Sequence, residues 1–318
     1  MTGIGADTGV QADNGDARDP AGASRAGHAE VRQLSRETRG LLVAFVLLTA
    51  LATNQLYILS AHTDAYFAWT IKPPLTAAFL GAGYAAGMVL VLLGLRARAW
   101  VEARIAVVTV GVFSTLTLVA TVLHRDRFHF SADGAISRFA AWLWLGIYIV
   151  VPLALAVLIV LHQRRPGIDP PRRDPIPLWL AAAFAVQGLI MLAVGVAMYA
   201  VPSTARTLWP WPLTPLTARA VSAWLIAFGV AAVLTMIERD TRRLAAGAVA
   251  YTVFGVLELI ALLRFGEVGR WDSPAGILYL VVLISVVPVG AAGCWLVWDR
   301  ARRRRAAGAT PAAATPAR

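Results

Sequence analysis

One acidic residue, Glu258 in "GVLELIALL", stands inside the apolar runs of this chain. A charge near mid-membrane costs at least ~2.5–3.5 kcal/mol on insertion scales, so an acid there asks for a reason. Glu258 suits a proton or cation site, or a hydrogen-bonded strut between helices. Snorkelling, or pairing with an outer-loop Arg, is a third use. The amides Asn54, Gln55 and Gln187 also fall within apolar runs. There they bond between helices at about 0.6 kcal/mol each, or face a ligand. Glu258, Asn54, Gln55 and Gln187 form the candidate intramembrane polar site.

A second candidate is a phrase written twice, "FAWTIKPPLTA" from Phe67 and "LWPWPLTPLTA" from Leu208. Its chemistry-bearing residues are Trp69, Pro74 and Thr76, then Trp211, Pro215 and Thr217. The local uses are plain. Trp69, Trp209 and Trp211 suit the headgroup level. Pro74 and Pro215 suit a first helical turn, and Thr76 and Thr217 bond backbone groups near a helix start. A sharper use has the two loops meeting on an axis and roofing a cavity open to the outside.

No metal, cofactor or catalytic site is expected. His62, Asp64, His124 and His129 match no metal signature, and haem needs histidines well inside opposing spans, whereas these and His162 sit at the edges. The sequence holds neither H-E-x-x-H nor a Gly-rich phosphate loop followed by Lys-Ser/Thr. The single cysteine, Cys294, excludes an intrachain disulfide and a Cys-clustered metal site. An enzyme acting on lipid at the outer leaflet would have to use His124, Asp126, His129 or Asp133.

The elements that must position these residues follow from composition. The 318 residues are 58% hydrophobic and 15% charged, with mean hydropathy +0.65. An ordinary soluble domain carries about 25% charged residues. The apolar residues come in blocks of roughly twenty, the length that crosses about 30 Å of hydrocarbon. The pattern predicts an all-α integral membrane protein with eight transmembrane helices, near 40–60, 75–95, 104–124, 138–161, 177–200, 216–237, 244–263 and 274–298. Residues 1–39 read as a disordered tail without the early apolar region of a signal peptide, so the first block acts as an uncleaved anchor. The basic, low-complexity segment 300–318 reads as a second tail.

Short flanking segments set orientation. With the N-terminus inside, cytoplasmic segments hold 21 of the 29 basic residues. This predicts a multi-pass protein of the plasma membrane with both termini cytoplasmic. It also accounts for the net charge of +11 without nucleic acid as a partner. The run Arg302, Arg303, Arg304 and Arg305 fits a topological stop signal that also contacts anionic lipid. The Arg-over-Lys, Ala-rich bias points to a GC-rich bacterial genome.

The twice-written phrase belongs to a longer repeat. A shift of 141 places Pro74-Leu75-Thr76-Ala77 on Pro215-Leu216-Thr217-Ala218, Arg98 on Arg239, Phe113 on Phe254 and Leu116 on Leu257. Upstream a shift of 142 matches Trp69 with Trp211 and Tyr57 with Tyr199, and downstream 136 matches Pro152 with Pro288. Four spans per unit imply two parallel four-helix repeats, 40–163 and 177–299, joined by a cytoplasmic linker at 164–176. The function expected of such a frame is a small-molecule or ion permease without its own energy domain. The alternative is a non-catalytic scaffold or accessory subunit that binds a partner membrane protein or lipid.

Overall fold

The computed structural model describes residues 33–97, 99–172 and 174–309, which are 82% helix with no strand among them. Residues 1–32 and 310–318 of the two expected tails, together with Arg98 and Arg173, lie outside the described residues. Among the described residues eight helices are long and apolar enough to cross a membrane, and the chain is an all-α, multi-pass membrane protein. They are α1 (Arg36–Thr53, continued by a π-helical turn at Asn54–Ile58), α2 (Pro74–Gly94), α3 (Trp100–Leu123) and α4 (Ala135–Arg164). The others are α5 (Leu178–Ala200), α6 (Pro215–Glu238), α7 (Thr241–Phe265) and α8 (Pro274–Ala309). Every expected span is matched by one of them. α8 runs beyond its expected end and carries Arg302 to Arg305 as helix.

Local chemistry explains the helix starts. Ser35 caps α1 through the Thr38 amide, Asp240 caps α7 through the Arg242 amide, and Thr214 with Thr217 forms a reciprocal capping box on α6. Pro74 and Pro215 both open a helix, where a missing N–H is no loss. Lipid replaces water around the bundle, so apolar side chains such as Leu47, Leu189 and Leu263 stand exposed on its surface.

The helices pair as α1 with α2, α3 with α4, α5 with α6 and α7 with α8, and the seams α2–α7 and α3–α6 join these pairs. Small residues allow the closest approaches. A Cβ on Gly81 of α2 would lie 2.6 Å from the Tyr57 amide nitrogen of α1, and one on Gly229 of α6 would lie 2.6 Å from Leu192 Cβ of α5. Two tyrosines bond between the pairs beside these seams, from α1 to α7 and from α5 to α3. The Tyr57 hydroxyl donates to the Leu257 carbonyl of α7 at 2.7 Å, and the Tyr199 hydroxyl donates to the Leu116 carbonyl of α3 at 2.6 Å.

Both faces of the bundle are tied by backbone pairing. On the face where α1, α3, α5 and α7 begin, here the terminal face, Gln33 pairs with Ala99 and Pro175 with Asp240. On the opposite face, the His129 amide donates to the Ala68 carbonyl and the Arg270 amide to the Pro210 carbonyl, each at 2.9 Å.

Candidate binding cavity and its closure

A cavity of about 160 Å³ lies between the helices, reaching from mid-bundle toward the terminal face, and every long helix except α8 lines it. Its inner end is aromatic. Trp224 of α6 stacks on Phe113 of α3 at 3.9 Å between ring centroids. Tyr84 of α2 meets both rings edge-on, at 5.7 Å from Phe113 and 5.4 Å from Trp224. Trp144 and Tyr148 of α4 lie 4.4 Å apart, and the Tyr148 and Tyr84 hydroxyls hydrogen-bond each other. Gly83 makes room for this arrangement, since a Cβ there would come within 2.6 Å of Trp224 Cε2. Gly87, one turn on, lines the cavity with its Cβ position 3.6 Å from Trp224. The small-residue face of α2 thus serves an indole and an open space.

Among the described residues, no Asp, Glu, Lys or Arg lines the cavity. Two of the lining residues also carry a donor buried away from any probe, Trp224 Nε1 and Thr109 Oγ1, without a hydrogen-bond partner among the described residues. Toward the terminal face the lining ends at Ile105, Thr235 and Leu244. Next to these stands a charge cluster, in which the buried Glu238 carboxylate pairs with both Arg104 and Arg243. Arg104 also reaches Asp169 of the 165–177 connection at 3.1 Å, and Arg243 donates to the Pro170 carbonyl at 2.6 Å.

At the other end, the Trp-Pro loops fold inward. Trp69, Trp209 and Trp211 are 2%, 3% and 0% exposed, so their rings turn into the protein instead of facing lipid headgroups. Each loop instead finds a ring from a helix on its own side of the 165–177 connection: Trp69 lies 4.9 Å from Trp144, and Trp211 lies 5.2 Å from Tyr279. Exposed interfacial rings are supplied elsewhere, by Phe139 and Trp142 on the loop face and by Trp179, Trp295 and Trp298 toward the terminal face. The repeated threonines have different partners. Thr217 belongs to the capping box of α6, whereas Thr76 accepts the Trp211 indole N–H at 2.9 Å. That bond crosses from one loop to the helix following the other. The loops pack inward as a plug, because burying several rings outweighs leaving them at the interface.

The structure disperses the four intramembrane polar residues. Glu258 is fully buried, accepts the Tyr279 hydroxyl at Oε2 (2.8 Å), and has no partner for Oε1 among the described residues. Gln187 accepts from the Tyr251 hydroxyl at 3.0 Å and donates to Ser285 Oγ at 2.7 Å, clamping α5, α7 and α8. Gln55 donates to the Tyr66 carbonyl at 2.8 Å, and Asn54 is exposed on the π-helical turn. None of the four lines the cavity.

The polar residues of the loop face are engaged locally. Arg219 donates to His124 Nε2 at 2.6 Å, while burial and the Arg219 charge hold the His124 imidazole below its ordinary pKa. His129 contacts Thr70 Oγ1 and the Phe67 carbonyl at 3.1 and 3.0 Å, and Asp126 pairs with Arg127 at 3.0 Å. Among the described residues no group of three or more His, Cys, Asp or Glu is placed to hold a metal ion. In the basic run, Arg302 lies over Trp298 at 4.7 Å, Arg303 pairs with Asp299 at 2.8 Å, Arg304 pairs with Asp174, and Arg305 is exposed.

Comparison of the chain with protein-family models, with curated proteins and with solved structures yields no match. What the cavity does must therefore be argued from its walls. The residues that build it, Tyr84, Thr109, Phe113, Trp144, Tyr148 and Trp224, are not those singled out by charge or by phrase. A signal for them exists. Trp and Tyr favour the ends of a span, and Tyr84, Trp144, Tyr148 and Trp224 stand well inside theirs.

Proposed function

We propose that this chain is a small-molecule permease without an energy domain of its own. Two parallel four-helix units, 40–163 and 177–299, hold the cavity between them, and the terminal face is the cytoplasmic side of the plasma membrane. The observation that carries the proposal is the cavity, whose wall draws on α1 to α4 from one unit and α5 to α7 from the other. Its loop-side end is blocked by the Trp-Pro plug.

The duplicated frame is supported by pairings that recur under one exchange of helices. Replacing each helix by the one four places along turns α1–α2 into α5–α6, α3–α4 into α7–α8, and the seam α2–α7 into α3–α6. The Tyr57–Leu257 bond becomes Tyr199–Leu116, and the Gln33–Ala99 pairing becomes Pro175–Asp240. Two units meeting at two equivalent seams can rock about them, which is how parallel-repeat transporters alternate access. Because no charged side chain among the described residues lines the cavity, it suits a neutral molecule better than an ion, whose desolvation would go uncompensated. Glu258 is then a strut to Tyr279 near the plug, and a candidate for coupling.

Cysteine accessibility tests the proposal. In a Cys294→Ser background, single cysteines replace Thr109 or Gly247 on the cavity wall, and a membrane-impermeant thiol reagent is applied from each side. Labelling from the cytoplasmic side, with slower labelling from the outside, is expected. Positions reached only by a lipid-soluble maleimide would overturn the permease and favour a lipid-binding accessory subunit.

A further inference from the structure

We infer that the plug is held shut by a one-sided latch between the two units, the bond from Trp211 to Thr76, and that releasing it opens the loop-side end of the cavity. The inference rests on the two-unit permease reading above and adds the residues that govern its closure.

The two loops match in the repeat but differ in their ties. The first, 67–73, is held from within its own unit. The Ile71 amide donates to Thr63 Oγ1 at 2.9 Å, His129 contacts the Phe67 carbonyl and Thr70 Oγ1, and the Trp69 ring packs on Phe128 at 5.0 Å and on Trp144. The second, 208–214, has similar ties at home: Arg270 donates to the Trp209 carbonyl at 2.9 Å, and Tyr279 packs on Trp209 at 5.2 Å. It also reaches across. Trp211 Nε1 donates to Thr76 Oγ1 of α2, and Phe79 of α2 meets the Trp209 and Trp211 rings edge-on at 5.4 and 6.4 Å.

Local chemistry explains why the equivalent bond, Trp69 to Thr217, is not made. Thr217 is already engaged in the capping box of α6, where it accepts the Thr214 amide at 2.8 Å and donates to the Thr214 carbonyl at 3.1 Å. Under the 141-residue shift Thr214 becomes Pro73, whose side chain has no oxygen to cap with, so the Thr76 hydroxyl is left to accept an indole. An indole N–H donates and cannot accept, and Trp69 Nε1 is buried without a partner among the described residues. Phe79 becomes Ala220 under the same shift, and the ring is lost. Differences at two pairs of equivalent positions thus put the tie between units on one loop.

The latch stands where closure needs it. Thr76 and Phe79 lie in the first two turns of α2, and Tyr84 of the same helix meets the Trp224–Phe113 stack at the inner end of the cavity. Units that rock apart on the loop face must part Thr76 from Trp211, while the first loop travels with its own unit.

The test uses the full chain in sealed vesicles with the loop face outward. In a Cys294→Ser background, Gly247→Cys is the reporter, since it lines the cavity and a Cβ there meets nothing within 4 Å. A membrane-impermeant maleimide is added outside. Its labelling rate should rise about three- to ten-fold in Thr76→Val and in Trp211→Phe, the worth of one hydrogen bond in the open population. It should not change in Trp69→Phe, which truncates the equivalent ring but deletes no bond. Thr76→Val preserves shape, so it remains informative if Trp211→Phe misfolds. Amide exchange of peptides from each loop is the second readout, and Thr76→Val should speed it in the second loop alone. No rise in either readout, or an equal rise in Trp69→Phe, would overturn the latch. Faster exchange with the reporter closed to the loop side in every variant would refute the permease and leave the latch standing.

Discussion

Removing the hydroxyls of Tyr57 and Tyr199 one at a time tests the two-unit frame quantitatively. Tyr57→Phe deletes the 2.7 Å bond to the Leu257 carbonyl, and Tyr199→Phe deletes the 2.6 Å bond to the Leu116 carbonyl. Both carbonyls lie inside long helices and keep their intrahelical amide partners, so neither change strands a buried group. The loss is then the net value of one hydrogen bond, about 0.5–1.5 kcal/mol, with about 0.6 kcal/mol as the average for bonds between membrane helices. The phenyl rings remain, so the Arg264 guanidinium keeps its place 5.5 Å over the residue 57 ring. The two bonds share no partner, so the double variant should lose about 1–3 kcal/mol as the sum of the singles. Equilibrium unfolding in mixed micelles measures all three. A loss in one variant with none in the other would refute the reasoning, because equivalent positions in a duplicated frame carry equivalent bonds.

Gly83→Ala should destabilise by about 1–3 kcal/mol, since its Cβ would press on a rigid indole at 2.6 Å. Gly146→Ala, where nothing lies within 4 Å, should stabilise by up to about 1 kcal/mol, and thermal unfolding separates the pair. His124 has its pKa lowered by burial and by Arg219, so its neutral form is favoured in the folded state. Its contact with Arg219 should be intact above about pH 6.5, and stability should fall as pH drops through the lowered folded-state pKa. The unfolding midpoint of His124→Gln should be flatter with pH over that acidic range. Tyr279→Phe leaves Glu258 without its only hydrogen-bond donor among the described residues, and should cost about 1–3 kcal/mol by the same unfolding assay.

The fold class and the eight spans were legible because lipid demands uninterrupted apolar length, which a sequence displays directly. Helix starts were legible too, from Pro74 and Pro215. Position within the bundle was not. A Trp in a short loop reads the same whether its ring meets a headgroup or turns inward, and only the contact of Trp69 with Trp144, or of Trp211 with Tyr279, decides. Polarity misled for a related reason. Gln187 and Glu258 stand out in hydropathy, yet each finds a neighbouring helix to bond, whereas the cavity is built from aromatic residues that apolar composition conceals. An unfilled space arises from how side chains from several helices fail to meet, and no single segment records that.

The charge cluster at the terminal end of the cavity has an uneven character. Glu238 and Arg243 are nearly buried, at 4% and 6% side-chain exposure, whereas Arg104 and Asp169 are each 30% exposed. Mobile ions screen exposed pairs far more than buried ones. Raising ionic strength should therefore loosen the arms through Arg104, which fasten α3 to α6 and to the 165–177 connection, while the Arg243 arm holds. Salt would thus part α3 from α6 at this end of the cavity before it parts α6 from α7.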